Sequence, residues 1–105
     1  MTPERFIEML DRDDEYLKYD RIENMRHPRR DIAAFLLLSE LVPSDGTIIE
    51  GADHDIIYLT DITTLCDAGI TEEQVIELVR LGCSQMDGEY MTMYERLRPT
   101  QMAFR

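Results

Sequence analysis

The segment Asp53-His54-Asp55, with Asp45 and Glu50 shortly before it, gathers side chains that bind hard or borderline cations. Carboxylates and one imidazole are ligands of the right kind. Their spacing does not match a calcium-binding EF-hand loop, and a single histidine is too few for a zinc or copper site. Acidic residues are common at hairpin tips, so a turn is the stronger reading of this cluster. No metal and no other cofactor is expected.

Nucleophilic chemistry fares no better. It needs a nucleophile beside a base, with a third group to orient the base. His27 stands before Pro28 in a basic turn, and His54 stands at a hairpin. Cys66 and Cys83 fall on or beside apolar helix faces, where cysteine acts as a small hydrophobe. There is no glycine-rich phosphate loop, and no pair of carboxylates has a setting that would make it an acid and a base. The chain is not expected to be an enzyme.

Two further motifs concern nucleic acid. Asp61 to Leu81 has the spacing of a helix-turn-helix, turning at Ala68-Gly69-Ile70. Its second helix would offer Thr71, Glu72, Glu73 and Glu77 to a groove lined with phosphates, and the whole unit has five acids against Arg80. Affinity for DNA depends on lysine and arginine neutralising phosphate, so this charge pattern argues against direct binding. The second motif is the pair of basic ends, Arg26-His27-Pro28-Arg29-Arg30 and Arg96 to Arg105.

Charge is the most informative property of the sequence. The formal net charge of the 105 residues is −11. From Asp31 to Glu95 there are fourteen acids and one base, whereas Met1 to Arg30 is nearly balanced and the last ten residues carry three arginines. Such a field repels nucleic acid and anionic membranes and attracts basic surfaces.

These groups must be held by a fold, and the pattern predicts an α+β one. The expected order is N-terminal helices, a buried central helix, a β-hairpin, an αα corner and a short C-terminal β segment. Thr2-Pro3-Glu4 is a helix start, and apolar spacing carries helix to about Met25, with a possible break near Asp13 in the polar block Asp11 to Asp14. His27-Pro28 ends it. Asp31 to Val42 has little polar face, which predicts burial. Thr47 to Glu50 and Asp55 to Leu59 form a hairpin around Gly51-Ala52-Asp53. The adjacent pairs Ile48-Ile49 and Ile56-Ile57 predict a sheet covered at least partly on both faces. Asp61 to Ala68 is a short helix, and Thr71 to Gln74 is a capping box opening the next. Asp87-Gly88 is a hairpin turn before Glu89 to Tyr94. Residues 1–98 are expected to form a single domain, with 99–105 a loose C-terminal tail.

No secretory signal is visible at Met1 to Arg5, and the longest apolar run, Ile32 to Leu38, is far short of the roughly 20 residues of a membrane span. With two cysteines expected as free thiols, a cytoplasmic location is the natural reading. The functional expectation is a small acidic binding or inhibitor protein, of the kind phages encode. It would act on a basic protein surface, such as that of a nucleic-acid-binding protein. Candidate contact residues are the acids Glu50, Asp53, Asp55, Glu72, Glu73 and Glu77. The methionine- and tyrosine-rich segment Met86 to Tyr94, through Tyr90, Met91, Met93 and Tyr94, is a candidate interface, because both residue types suit interfaces and a terminal strand has backbone free for pairing; core packing of an edge strand is the plainer reading of the same residues. Two alternatives stand beside this reading: a helix-turn-helix-like regulator using its basic ends on nucleic acid, and a homo-oligomeric structural protein joined through Met86 to Tyr94.

Overall fold

A computed structural model describes residues 1–11, 18, 21, 22, 25–42, 44–53 and 56–94. Among these residues the fold is α+β, with four helices and a four-stranded antiparallel sheet. The proposed tail falls outside the described residues.

Helix α1 (Pro3–Leu10) starts where the sequence says it should. The Thr2 hydroxyl accepts from the Arg5 amide at 3.2 Å, and proline occupies the first turn, where its missing N–H costs nothing. Phe6, Met9 and Leu10 form its buried stripe. The helix closes on Asp11, and the possible break near Asp13 lies outside the described residues. Most of the second half of the expected helical segment lies outside the described residues.

Helix α2 (Arg30–Leu41) follows Pro28 and buries Arg30, Ala33, Ala34, Leu37 and Leu38. It is less enclosed than its composition predicts: Leu36 is 41% exposed, and Ser39 and Glu40 also face solvent. One side of the helix meets the core, and the leucine run continues past it onto the outer side.

Strand β1 (Ile49–Asp53) pairs with β2 (Ile56–Asp61), but the turn is displaced from its expected place. Gly51 and Ala52 are not in the turn. They lie within β1, opposite Tyr58 and Ile57, with a bulge between Ile49 and Gly51. Glycine inside a strand commonly marks such an irregularity, and here that reading beats the turn signal.

Helices α3 (Ile62–Asp67) and α4 (Glu72–Arg80) make the αα corner. Gly69 adopts φ +82° between them, the left-handed conformation that ends a helix without a Cβ penalty. The capping box is present in both directions: the Gln74 amide donates to the Thr71 hydroxyl at 3.2 Å, and the Thr71 amide donates to Gln74 Oε1 at 2.9 Å. Val75, Leu78 and Val79 are its buried stripe. Thr71→Ala is expected to lower stability by about 1 kcal/mol through loss of the cap, read as a lower denaturation midpoint at unchanged slope.

Strand β3 (Ser84–Met86) turns through Asp87 and Gly88 into β4 (Tyr90–Tyr94). Both turn residues take positive φ, +59° and +68°, as tight antiparallel hairpins require. Gly88 is also pressed by α1, since a Cβ there would come within 3.2 Å of Ile7 Cδ1.

The strand order is β1-β2-β4-β3. β4 is therefore an inner strand, hydrogen-bonded to β2 on one side and β3 on the other. This corrects the expectation that Met86 to Tyr94 forms a terminal strand with backbone free for pairing. Its final strand in sequence is not final in space, because β3 supplies the edge.

Register also decides which face is which. Residues directly opposite one another share a face. Met93 pairs with Ile57, and Met91 with Gln85. Leu59, Met91 and Met93 join the buried residues of all four helices in one core, with Ile57 packed against it. On the other face Tyr58 opposes Thr92, and Ile56 opposes Tyr94. Ile56, Tyr58 and Tyr90 are only half-buried and stand outside that core. Thr92 on that face is buried at 7% exposure, so the two sides are unequally enclosed and the second is covered in part, as the adjacent isoleucines lead one to expect. Ile49 is 51% exposed on the edge strand, so its pair with Ile48 does not report a second core.

Candidate functional site

The positive charge of the N-terminal third folds back onto the acidic body. Arg5 on α1 bonds Glu8 at 2.6 Å and Glu72, in the first turn of α4, at 3.2 Å. Arg26 holds Glu40 of α2 at 2.5 Å and also Glu77 of α4. Arg29 pairs with Asp31 at 3.3 Å, and Arg30 is buried. Arg80 donates to the Arg21 carbonyl at 3.0 Å. The basic turn Arg26 to Arg30 is therefore committed within the chain.

The two acids gripped by Arg26 respond in opposite ways. The exposed Glu40 carboxyl is held below its ordinary range by the hydrogen bond from Arg26. Burial pushes Glu77 above its ordinary value, and Arg26 only partly opposes this. Arg26→Ala is expected to cost about 1–2 kcal/mol, because it leaves a half-buried Glu77 facing Glu40 alone. That is less than the roughly 3–5 kcal/mol of a fully buried pair, since solvent still reaches Glu77. The loss should shrink as pH falls. Without Arg26 the folded state binds a proton on Glu77 more tightly still, and stability rises as pH falls wherever the folded state holds more protons than the unfolded one. Meanwhile the wild type loses its Glu40 contribution through the same acid range. A gap between the two proteins that widened on acidification would contradict this.

With those arginines committed, three of the acids left without an ion pair among the described residues fall together and define the candidate site. Glu50, Asp87 and Glu89 line a concavity of about 300 Å³ together with Gly51, Tyr58 and Tyr90. None of these carboxylates has an ion pair among the described residues. The Tyr58 and Tyr90 rings meet edge to face, with centroids 6.3 Å apart and planes inclined by 69°. They form two walls of a corner.

Sheet geometry assembles this corner from distant sequence. Tyr58 on β2 lies opposite Gly51 on β1, so no side chain covers the ring from that neighbour. Space beside Gly51 is open, as an added Cβ there would meet no atom within 4 Å. The register of β2 against β4 slips between Tyr58 and Asp61, which brings Tyr90 to the same end. The turn Asp87 to Glu89 is fixed by its left-handed residues and by the Gly88 amide donating to Gln85 Oε1 at 2.7 Å. The Glu89 carbonyl further accepts from the Ile62 amide at 2.9 Å, tying this corner to α3.

The residues singled out from sequence fall into four groups. Glu50 and Tyr90 line the concavity. Glu73 is exposed on α4, apart from them, while Glu72 is bound to Arg5 and Glu77 is half-buried against Arg26. The α4 acids are therefore not a free acidic face, because two of the three are ion-paired. Met91 and Met93 are 0% and 2% exposed, so they pack the core and present no interface. Asp53 closes β1 opposite Ile56, Tyr94 closes β4, and Asp55 lies outside the described residues. Sequence reasoning missed Tyr58, Asp87 and Glu89. The Asp87-Gly88 turn signal marked the place, but only strand order brings it near Glu50.

His54 of the candidate metal cluster is likewise outside the described residues. Among those that are described, no three histidine, cysteine or acidic side chains gather as a metal site. Both cysteines are free thiols. Complete burial pushes the Cys83 thiol up to about 12, and partial burial raises Cys66 less. Since the thiolate is the reactive form, Cys83 should resist thiol reagents until the protein unfolds, while Cys66 reacts slowly in the native state. Timed labelling read by mass spectrometry separates the two; rapid native labelling of Cys83 would contradict its burial.

Among the described residues no helix is long and apolar enough to cross a membrane. No protein-family model matches the sequence, and neither a curated protein nor a solved structure matches it.

Proposed function

We propose that this chain is a small acidic binding protein without catalytic chemistry of its own. It acts on a basic protein surface, such as the groove of a nucleic-acid-binding protein, and blocks that surface. The observation that carries this reading is the division of charge in the fold. Arg5, Arg26 and Arg29 are paired within the chain, whereas Glu50, Asp87 and Glu89 surround one open concavity without ion pairs among the described residues. Fixed charge around a concave surface concentrates the local field and steers oppositely charged partners.

The test has two arms. Immobilised chain is exposed to lysate of the cells that make it, and retained proteins are identified by mass spectrometry. The retained set should be basic, released by salt and displaced by duplex DNA. Separately, the free chain should not bind duplex DNA at about 0.15 M salt, where surface charges still act over roughly 8 Å. Binding to bare DNA, or retention of no basic protein, would overturn the proposal.

A further inference from the structure

We infer that the outer edge of β1 takes an extended basic segment of the partner as a fifth strand of the sheet. This rests on the preceding reading and assigns a mode of contact to it. Strand order makes β1 an edge: β2 occupies one side, and no strand pairs with the other among the described residues. In an antiparallel ladder the N–H and C=O of alternate residues point away from the existing neighbour, so an edge offers donors and acceptors to an arriving chain. The second edge, β3, is less suited. It is three residues long, and Gln85 within it is tied to Asp11 at 3.1 Å. β1 has five residues, of which Ile49, Glu50 and Ala52 are exposed. There is room beside Gly51, since an added Cβ would meet no atom within 4 Å, and a glycine in a strand lets another backbone come close.

The two faces of the sheet decide which segment fits. Ile49 lies opposite Leu59, a core residue, yet is itself 51% exposed. An apolar side chain on the arriving strand would cover it and extend the core face. The concavity lined by Glu50, Asp87 and Glu89 lies on the other face, that of Tyr90 and Thr92. Side chains of a strand alternate between faces, so successive residues of the segment meet apolar surface and carboxylate in turn. A run of alternating apolar and basic residues satisfies both. A second copy of this chain is a poor occupant, because it would bring a like net charge of −11 to the same edge. An acidic edge thus discourages pairing between copies while it attracts a basic strand.

The experiment titrates the chain with a short peptide of alternating valine and lysine, and with the same peptide methylated at every backbone amide. The two share charge and side chains, but the second cannot donate a backbone hydrogen bond. Calorimetry gives the affinities, and amide hydrogen exchange locates the contact. The unmethylated peptide should bind about tenfold more tightly or better, which two backbone hydrogen bonds of ordinary net strength supply. Alternate amides between Ile49 and Asp53 should gain protection. Ile49→Thr keeps a β-branched residue at an exposed position but removes its apolar surface. It should weaken the unmethylated peptide about threefold and leave the methylated one unchanged. Circular dichroism confirms that the variant is folded, and the peptide pair on the wild-type chain keeps the test decisive should it not be. Equal affinity of the two peptides, with β1 amides unprotected, would overturn strand addition while leaving the acidic surface intact. Protection at Ser84 to Met86 instead would overturn the assignment to β1. Protection of β1 amides in the chain alone, rising with its concentration, would mean that a second copy takes the edge and would overturn it likewise. Binding of neither peptide would overturn both readings together.

Discussion

Replacing Met91 and Met93 together with lysine is expected to unfold the protein. Both side chains are essentially inaccessible, at 0% and 2% exposure, and they sit on β4 between two paired strands. Truncating a buried methionine alone costs about 2–5 kcal/mol, and a buried, unpaired ammonium adds a further penalty. Two such changes rival the roughly 5–15 kcal/mol that holds a typical domain together. The measurement is far-ultraviolet circular dichroism with a denaturant titration: the variant should show no cooperative transition, or should fail to accumulate. A folded, cooperative, monomeric double-lysine variant is the outcome foreseen when these methionines are read as an interface. Observing it would mean that this face of β4 is not the core.

The second large effect concerns association. Glu50→Lys with Glu89→Lys changes the net charge by four, from −11 to −7, and reverses it where it surrounds the concavity. Association with the basic partner should slow by about tenfold or more at low salt. The deficit should largely disappear near 1 M salt, where charges are screened within roughly 3 Å. Both residues are exposed and have no ion pair among the described residues, so stability should barely change. Glu72 and Glu77 are unsuitable for this test. Lysine at either position would face Arg5 or Arg26 and confound a rate effect with a loss of fold. Glu73→Lys is the useful control, because it changes the same field from an exposed site away from the concavity. Association rates measured by stopped flow at two ionic strengths check this. If the double reversal slowed association no more than Glu73→Lys did, the acids around the concavity would have no special part in steering.

Local signals were legible wherever neighbouring residues alone decide the outcome. The Thr71 to Gln74 capping box, the Gly69 helix stop and the Asp87-Gly88 turn all appear where their chemistry places them. Each depends on hydrogen bonds or backbone angles within a few residues, so distant chain hardly affects them. The acids were legible as a count but not as a surface. Nothing in the sequence of α4 says that Arg5 and Arg26 will reach Glu72 and Glu77 from 67 and 51 residues away. Alternation along β4 sets Tyr90 and Thr92 on one face and Met91 and Met93 on the other, but alternation does not say which face meets helices. Tyrosine and methionine both suit an interface, and only packing assigns the methionines to the core.

By itself, then, the sequence determined the α+β class, the positions of the helix caps and turns, and the large excess of negative charge. Each follows from residue type, short-range spacing or simple summation. The tertiary structure decided the strand order, and with it the rest. Placing β4 between β2 and β3 buried Met91 and Met93 and carried Tyr90 to Tyr58. The same order brought the Asp87 to Glu89 turn beside Glu50 from nearly forty residues away. The physical reason is that register depends on which pairing buries the most apolar surface across the whole sheet. That comparison involves every strand and helix at once, and no single segment of the chain contains it.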